Sequence, residues 1–571
     1  MSLRILNLIQ CLIYFVIMIC FLIGLYGYFY RVDGNYCEMT YMYEYPDYRS
    51  ISIPNAIQLK YPRYQLYFYC EGIGCDIHRK QIFNGMPILF IVGNADSYRQ
   101  VRSLASIAYR MGQHYNKQLD YFSIDFNEEL SALFGGVLKQ QTEFVIHAIQ
   151  IILKLYQHQK STVKPTHVIL VGNSVGGILA RAIFVESGNL FDQNTVKIII
   201  TQATPHQAPV INYDSYLVDF YQNINDYWKK EWNNTLKHIV LLSLAGGDRD
   251  HLVRSDLCSL HGLTDEIRSI DILTTAIPQV WTSTDHRCIV WCRQLVLTTT
   301  RALFELINSG TNNFNKTTIE IMNIFKHYFL PKLMDMNADL IKSIKQISLN
   351  NPVILTKSMS EIKHFKGDYL IPLIKSNFDK IFIFSNMSRS YWIYLTNKPI
   401  TTDNDKWSIK DITGWLLPIP PSYSSTTFHF NSTGYVKLFI PNLMYLWQVY
   451  TVQLESLNCV GTNQPSLIHF HVPWSNEDIY NLVTLKDPST TYLSSSSFSP
   501  LLSIPLIRKM HLKLQRPRLN FSNNNDYPSL ELFLNVQCTY TLTINYSYLD
   551  ILAQLIRYYI FLLPSFLFSV L

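Results

Sequence analysis

Gly172-Asn173-Ser174-Val175-Gly176 reads G-x-S-x-G. A serine hydroxyl is a poor nucleophile until a neighbouring base takes its proton. Glycines two residues either side let the chain turn sharply enough to push such a serine out of a strand-to-helix bend. A bare match to the pattern carries little weight, because an ordinary glycine-rich turn also satisfies it. The flanks add to it. "HVILVG" (167–172) is an apolar run of strand length, and "GGILARAIF" (176–184) is patterned as a helix. In that setting a side chain at Gly172 or Gly176 would collide with backbone across the bend. Gly177 would let the helix approach the sheet.

A strand–elbow–helix serine needs an acid and then a histidine further along the chain. "HIVLLSL" (238–244) is followed by "AGGDRDHLVRSD", which sets Asp248, Asp250 and Asp256 at a strand's end. Among the histidines, His251, His261 and His286 come late enough. His206, in "TPHQAP", precedes the acid and is excluded by order. His286 stands in "TSTDHRCIVWC", just before an apolar helical run. Order alone leaves the three open.

The elements that must carry these residues follow from hydrophobic periodicity. "PILFIVG" (87–93), "DYFSIDF" (120–126), "HVILVG", "VKIIIT" (196–201) and "HIVLLSL" are short apolar runs, as in parallel strands buried on both faces. Helical patterns at 98–112 and 143–156 alternate with them, so an α/β domain with a mostly parallel sheet is expected over 80–310. A helical connector is expected at 311–350. Short aromatic and β-branched segments then predict a β-rich, sandwich-like domain over 351–548. They include "KIFIFSN", "YWIYLT", "LIHFHV" and "MHLKLQ". Residues 487–500 read as a serine-rich loop. The apolar tail 549–571 carries Arg557 and Pro564, and reads as a second membrane segment or an interfacial helix.

Between Arg4 and Arg31 lie 26 uncharged residues. A helix needs about 20 to cross the hydrocarbon layer, whereas a cleaved signal has a shorter apolar stretch of about 7–15. An uncleaved anchor at 5–30 is expected. N-x-S/T sequons begin at Asn233, Asn315, Asn386, Asn431, Asn520 and Asn545, which points to a glycosylated, lumenal or extracellular body. Eight of the 10 cysteines lie outside the anchor, an even number in a compartment that permits disulfides. Cys288 and Cys292 match neither a redox pair nor a zinc knuckle and read as core cysteines. Net charge is only +6, with no long basic block, so no nucleic-acid partner is expected.

Taken together these stretches resemble the GPI inositol-deacylases of the endoplasmic reticulum. The resemblance rests on "PILFIVGNADSYRQVRSLA", "YFSIDFNEELSALFGG" (121–136), "VILVGNSVGGILAR", "TQATPHQAP", "LSLAGGDRDHLVRSD" and "VWTSTDHRCIVWC", in family order from about 85 to 300. It implies an α/β-hydrolase domain in which Ser174 is the nucleophile, Asp250 the triad acid and His286 the base. Asp250 is singled out by the spacing GG-x-x-D-x-x-V. Backbone N–H groups of Val175, Asn94 and Ala95 would form the oxyanion hole. The implied activity is a serine esterase of the ER membrane, its bulk lumenal. It would remove the acyl chain from the inositol of GPI-anchored proteins and so support their export to the Golgi, with no metal or organic cofactor. The rival readings are another membrane-bound lipid esterase and a non-catalytic lumenal protein that binds GPI proteins or their glycans. The chain departs from the family at Asn173 and Val175, usually His and Met, and at Val92 and Asp96, usually Pro and Gly. Asp96 is expected to point to solvent. Family members typically continue with more membrane helices, so a chain ending at Leu571 reads as a fragment or a truncated paralogue.

Overall fold

The computed structural model describes residues 3–330, apart from 73, 76–82, 158–163, 187–190 and 308–315. Beyond 330 it describes 394–396, 409–411, 426–429, 435–440, 443, 445–459, 466–483, 509–517, 528–533 and 538–560. The segments "KIFIFSN" and 487–500 lie outside the described residues, as do the sequons at Asn315, Asn386, Asn431 and Asn520.

An eight-stranded sheet organises the first half. Its strands are β1 (Pro46–Ser50), β2 (Gln65–Glu71), β3 (Met86–Ile91), β4 (Leu119–Asp125), β5 (Ile169–Asn173), β6 (Ile198–Gln202), β7 (Val240–Ala245) and β8 (Ser269–Leu273). They lie in the order β1-β2-β4-β3-β5-β6-β7-β8. The pairs from β4 to β8 are parallel, and β1 and β2 join antiparallel at one edge. Every residue of β3, β5, β6 and β7 is buried, which is why these strands read as unbroken apolar runs. Two strands precede the boundary expected at residue 80. "PDYRS" is too polar to signal a strand, and edge pairing rather than propensity holds it. The short "SIDIL" of β8 also escaped sequence reading.

Helices cover both faces. The site depends most on Leu138–Gln157, which follows the 126–137 loop, and on Val175–Glu186, which follows the elbow. A capped helix, Thr318–Phe329, lies where the connector is expected.

Two short strands, β9 (Tyr394–Thr396) and β10 (Ile409–Asp411), pair antiparallel, and the later strands build two four-stranded antiparallel sheets, β11-β18-β13-β16 and β12-β17-β14-β15. Here β11 is Thr426–His429, β12 Tyr435–Phe439, β13 Val449–Cys459, β14 Ser466–His471, β15 Ile479–Val483, β16 Lys509–Lys513, β17 Ser529–Phe533 and β18 Cys538–Tyr546. Their core joins Val452 and Leu512 of the first sheet to Phe470 and Leu530 of the second.

The N-terminal helix, Leu3–Tyr30, contains one stretch, Ile9–Tyr30, long and apolar enough to cross a membrane. Its last turns pack on the tail helix Tyr548–Tyr559. A Cβ on Gly27 would meet the Ala553 Cβ at 3.0 Å, so small residues set the approach of the two helices. Arg31 Nε pairs with Asp550 at 2.9 Å. The tail helix is therefore docked on protein, with Asp550 and Arg557 buried. Disulfides join Cys37 to Cys292 and Cys70 to Cys75, so Cys292 is bridged while Cys288 is a buried thiol.

Candidate active site

Ser174 sits between β5 and the helix that follows it. Its φ is +53°, a left-handed conformation that a serine adopts only where the surroundings enforce it. The enforcement is visible. Ser174 N–H donates to the Gln202 carbonyl of β6 at 2.8 Å, and Gly177 N–H donates to Ser174 O at 3.2 Å. A Cβ at Gly172 would lie 2.5 Å from Gly177, and one at Gly176 would lie 2.1 Å from the Ile91 carbonyl. Both glycines are fixed by close backbone approach, as the sharp turn requires.

Asp250 lies in the loop after β7 and is fully buried. Its Oδ1 accepts from the N–H groups of Leu252 (3.0 Å) and Val253 (2.8 Å). Its Oδ2 stands 3.0 Å from His286 Nδ1. A carboxylate only accepts, so in a neutral ring Nδ1 carries the proton and Nε2 the lone pair. The His286 loop is pinned to the acid loop by Thr284 N–H on the Gly246 carbonyl at 2.7 Å. Burial works against protonating His286. The field and hydrogen bond of Asp250 outweigh it, Asp96 and Asp285 add to them, and the pKa is raised.

The other candidates lie elsewhere. His206 is buried between Thr201 Oγ1 (2.9 Å) and Arg181, and burial with Arg181 beside it depresses its pKa strongly. His261 is exposed. His251 packs its ring on Tyr28 of the N-terminal helix, 4.6 Å between centroids. Asp256 pairs with Arg254 at 3.2 Å. Asp248 is the centre of a buried charge cluster. Lys513 of β16 and Arg557 of the tail helix both reach its carboxylate. Burial raises the Asp248 carboxyl pKa, but the two cations more than reverse that and hold it low.

The 121–136 segment, which no general hydrolase mechanics demands, has a structural task. Tyr64 Oη and Gln141 Nε2 donate to Glu129 Oε2 at 2.7 and 3.1 Å. Ala132 N–H donates to Asn94 Oδ1 at 2.8 Å. The segment thus braces the loop after β3. A Cβ on Gly93 would come within 2.8 Å of the Ser174 Cβ, so that loop lies directly against the serine. Two expectations need correction. Ala95 N–H is already given to the Glu129 carbonyl at 3.0 Å, so it is not a free oxyanion donor. Asp96 does not point to solvent: it is half-buried, accepts from Gln100 Nε2 at 3.0 Å, and its charge reaches His286. Ser174 and His286 are not hydrogen-bonded to each other. Such bonds are often long in substrate-free enzymes and tighten with substrate.

Arg557 is the contributor that sequence reading missed. Nη1 donates to the Asp250 carbonyl at 3.3 Å and Nη2 to that of Asp248. A lone arginine inside an apolar tail was the available signal. Replacing Arg557 with Met leaves Asp248 short of a buried partner. Breaking such a pair costs about 3–5 kcal/mol, so a clear fall in melting temperature is expected. An unchanged melt would show that the tail helix does not hold the acid loop.

The strand order, the strand-to-helix turn and the acid loop after β7 define an α/β-hydrolase domain, followed here by a β-sandwich. Two family models match: a PGAP1-like alpha/beta domain over 82–306 and a GPI inositol-deacylase beta-sandwich domain over 411–560. The chain is 31% identical to the GPI inositol-deacylase of Mus musculus across 96% of its own length and 63% of the mouse protein. It is 38% identical to that of Aspergillus fumigatus across 48% of its length and 25% of the fungal protein. Both domains of the chain are thus similar to those of the GPI inositol-deacylases, and the chain spans 63–64% of the vertebrate relatives it matches. Among solved structures, the mature Bacillus licheniformis lipase BlEst2 aligns at 16% identity with a TM-score of 0.28, covering 39% of this chain and 92% of the lipase.

Proposed function

We propose that the chain is a GPI inositol-deacylase, a serine esterase that removes the acyl chain from the inositol of GPI-anchored proteins. The reading places it in the endoplasmic reticulum membrane, with the body lumenal, where it would support export of these proteins to the Golgi. Ser174 attacks the acyl carbonyl. His286 takes the serine proton, then returns one to the inositol oxygen as it leaves. Asp250 holds the imidazole and stabilises its charged form. Water, activated by His286, then frees the fatty acid. Charge developing on the carbonyl oxygen meets the N–H groups of Val175, at a helix N-terminus, and Asn94. The similarity to GPI inositol-deacylases over both domains, together with the Asp250–His286 pair behind an elbow serine, carries this reading. A rim of exposed apolar side chains suits a lipid substrate: Leu130, Leu133 and Phe134 on the bracing segment, and Tyr213 and Tyr216 beside them. Asp214 Oδ2 accepts from Gly135 N–H at 2.6 Å and ties the two parts of the rim together.

A fluorophosphonate probe tests the serine. Labelling of wild type but not of Ser174→Ala is expected, and a protein that only binds GPI cargo does not label. The lumenal body is tested by endoglycosidase treatment. Asn233 and Asn545 are both exposed, so digestion is expected to increase mobility, and no shift would contradict the orientation.

His286 must be neutral to act as base, so activity falls as pH drops through its raised pKa. Asp96→Asn removes a charge that favours the protonated ring. The acid limb of kcat/KM is therefore expected to move to lower pH, by about half a unit for one partly screened charge. An unmoved limb would place Asp96 outside the field of the base.

A further inference from the structure

The hairpin β14–β15 carries a second cluster of chemistry-bearing side chains, far in sequence from the serine. Residues 469–478 read H-F-H-V-P-W-S-N-E-D. His469 and His471 alternate with Phe470 along β14, so both lie on one face of the strand. Asp478 immediately precedes β15 and comes back beside them. One donor atom from each of His469, His471 and Asp478 lies within 4.8 Å of the others. His469 and Asp478 side chains are only 5% and 9% exposed.

Two details distinguish this cluster from an ordinary ion-pair network. The first is His469 Nε2. It is buried and stands 3.3 Å from Asp478 Oδ2, yet it makes no bond of acceptable hydrogen-bond geometry. The second is the other ring nitrogen. His469 Nδ1 is 2.9 Å from Oε2 of Glu531, its cross-strand neighbour on β17. A carboxylate on Nδ1 fixes the ring and leaves Nε2 with its lone pair turned into the cluster, the arrangement that backs metal-bound histidines. The ring is further immobilised by Tyr480, stacked at 4.4 Å and 3°.

The separations fit a small cation. Zinc binds imidazole and carboxylate at about 2.0–2.2 Å in tetrahedral sites, which sets neighbouring donors about 3.3 Å apart. His469 Nε2 stands 3.3 Å from Asp478 Oδ2 and His471 Nδ1 stands 3.0 Å from the other oxygen, Oδ1, so the carboxylate presents one oxygen to each ring. His471, at 23% exposure, leaves a path from solvent.

We propose that His469, His471 and Asp478 form a structural Zn²⁺ site in the sandwich domain, with Glu531 orienting His469 and water completing the coordination. What the metal would hold is the loop 472–478. That loop docks on the hydrolase sheet: Leu273 N–H donates to the Asn476 carbonyl at 3.0 Å, and Asn476 Nδ2 donates to the Asp271 carbonyl at 3.0 Å. The site therefore clamps the hairpin that joins the sandwich to β8, and takes no part in ester hydrolysis.

The test uses the full chain, purified in detergent without chelator, and reads metal content and melting temperature rather than activity. About one zinc per chain is expected by elemental analysis, falling several-fold in both His471→Ala and Asp478→Asn. After chelation and dialysis, the wild-type melting temperature is expected to drop and to recover on adding Zn²⁺ alone. His471→Ala, whose partly exposed side chain makes a folding failure less of a concern, is expected not to respond to added Zn²⁺. Substoichiometric zinc in wild type with no Zn²⁺-dependent change in melting would overturn the site. So would stoichiometric zinc that both variants retain.

Discussion

Ser174→Ala is expected to abolish deacylation while leaving the fold intact. The serine side chain adds little to packing, and its backbone bonds to Gln202 and Gly177 do not involve Oγ. Alanine at φ +53° is strained no more than serine is. Turnover is another matter. Without the nucleophile only transition-state binding remains, and the loss in a comparable triad is about 10⁶-fold in kcat. Purified wild type and variant, assayed on an inositol-acylated phosphatidylinositol with release of fatty acid as the readout, should differ by at least the dynamic range of the assay. Their melting curves and glycosylation should superimpose. A variant retaining a tenth of the activity would remove Ser174 from the mechanism.

Asp250→Asn is expected to be the next most damaging change. Asparagine fills the same space, and its oxygen can still accept from Leu252 and Val253 N–H, as Asp250 Oδ1 does. The NH₂ then faces His286 Nδ1. Two donors cannot share that bond, so the ring must place its proton on Nε2, where the lone pair is needed. Loss of kcat of about 10⁴-fold follows from the wrong tautomer. Asp248→Asn makes the contrast. It weakens the cluster with Lys513 and Arg557 and should lower stability, while the His286 tautomer stays correct. Equal kinetic damage from both substitutions, at matched stability, would show that the acid was assigned to the wrong aspartate.

The central strands were legible because each is buried on both faces, so the apolar runs at 87–93, 167–172, 196–201 and 238–244 leave a strong local signal. The elbow was legible for a similar reason, since close backbone approach leaves only glycine at Gly172 and Gly176. Separating Asp250 from Asp248 needed the resemblance, because two aspartates two residues apart look alike in sequence. The structure gives the difference: Asp250 faces His286 and Asp248 faces two cations. Those cations, Lys513 and Arg557, come from β16 and the tail helix, about 260 and 310 residues away in the chain. No local pattern encodes such a meeting. The edge strands β1 and β8 were missed because sheet pairing, not residue type, makes them strands. The availability of Ala95 as a donor was misjudged because it turns on one hydrogen bond, to Glu129, that only tertiary packing creates. The pattern H-x-H at 469–471 was read merely as part of a strand, since its meaning depends on Asp478 and Glu531 arriving from neighbouring strands.

The most direct test of the deacylase reading is a cell that lacks its own inositol-deacylase. There, GPI-anchored proteins keep the acyl group on inositol and resist phosphatidylinositol-specific phospholipase C, which needs the inositol hydroxyl that the acyl group blocks. Expression of this chain is expected to restore release of surface GPI proteins by the phospholipase, and expression of Ser174→Ala at the same level is expected to leave them resistant. Equal release with the alanine variant, or continued resistance with a folded and glycosylated wild-type chain, would contradict the account.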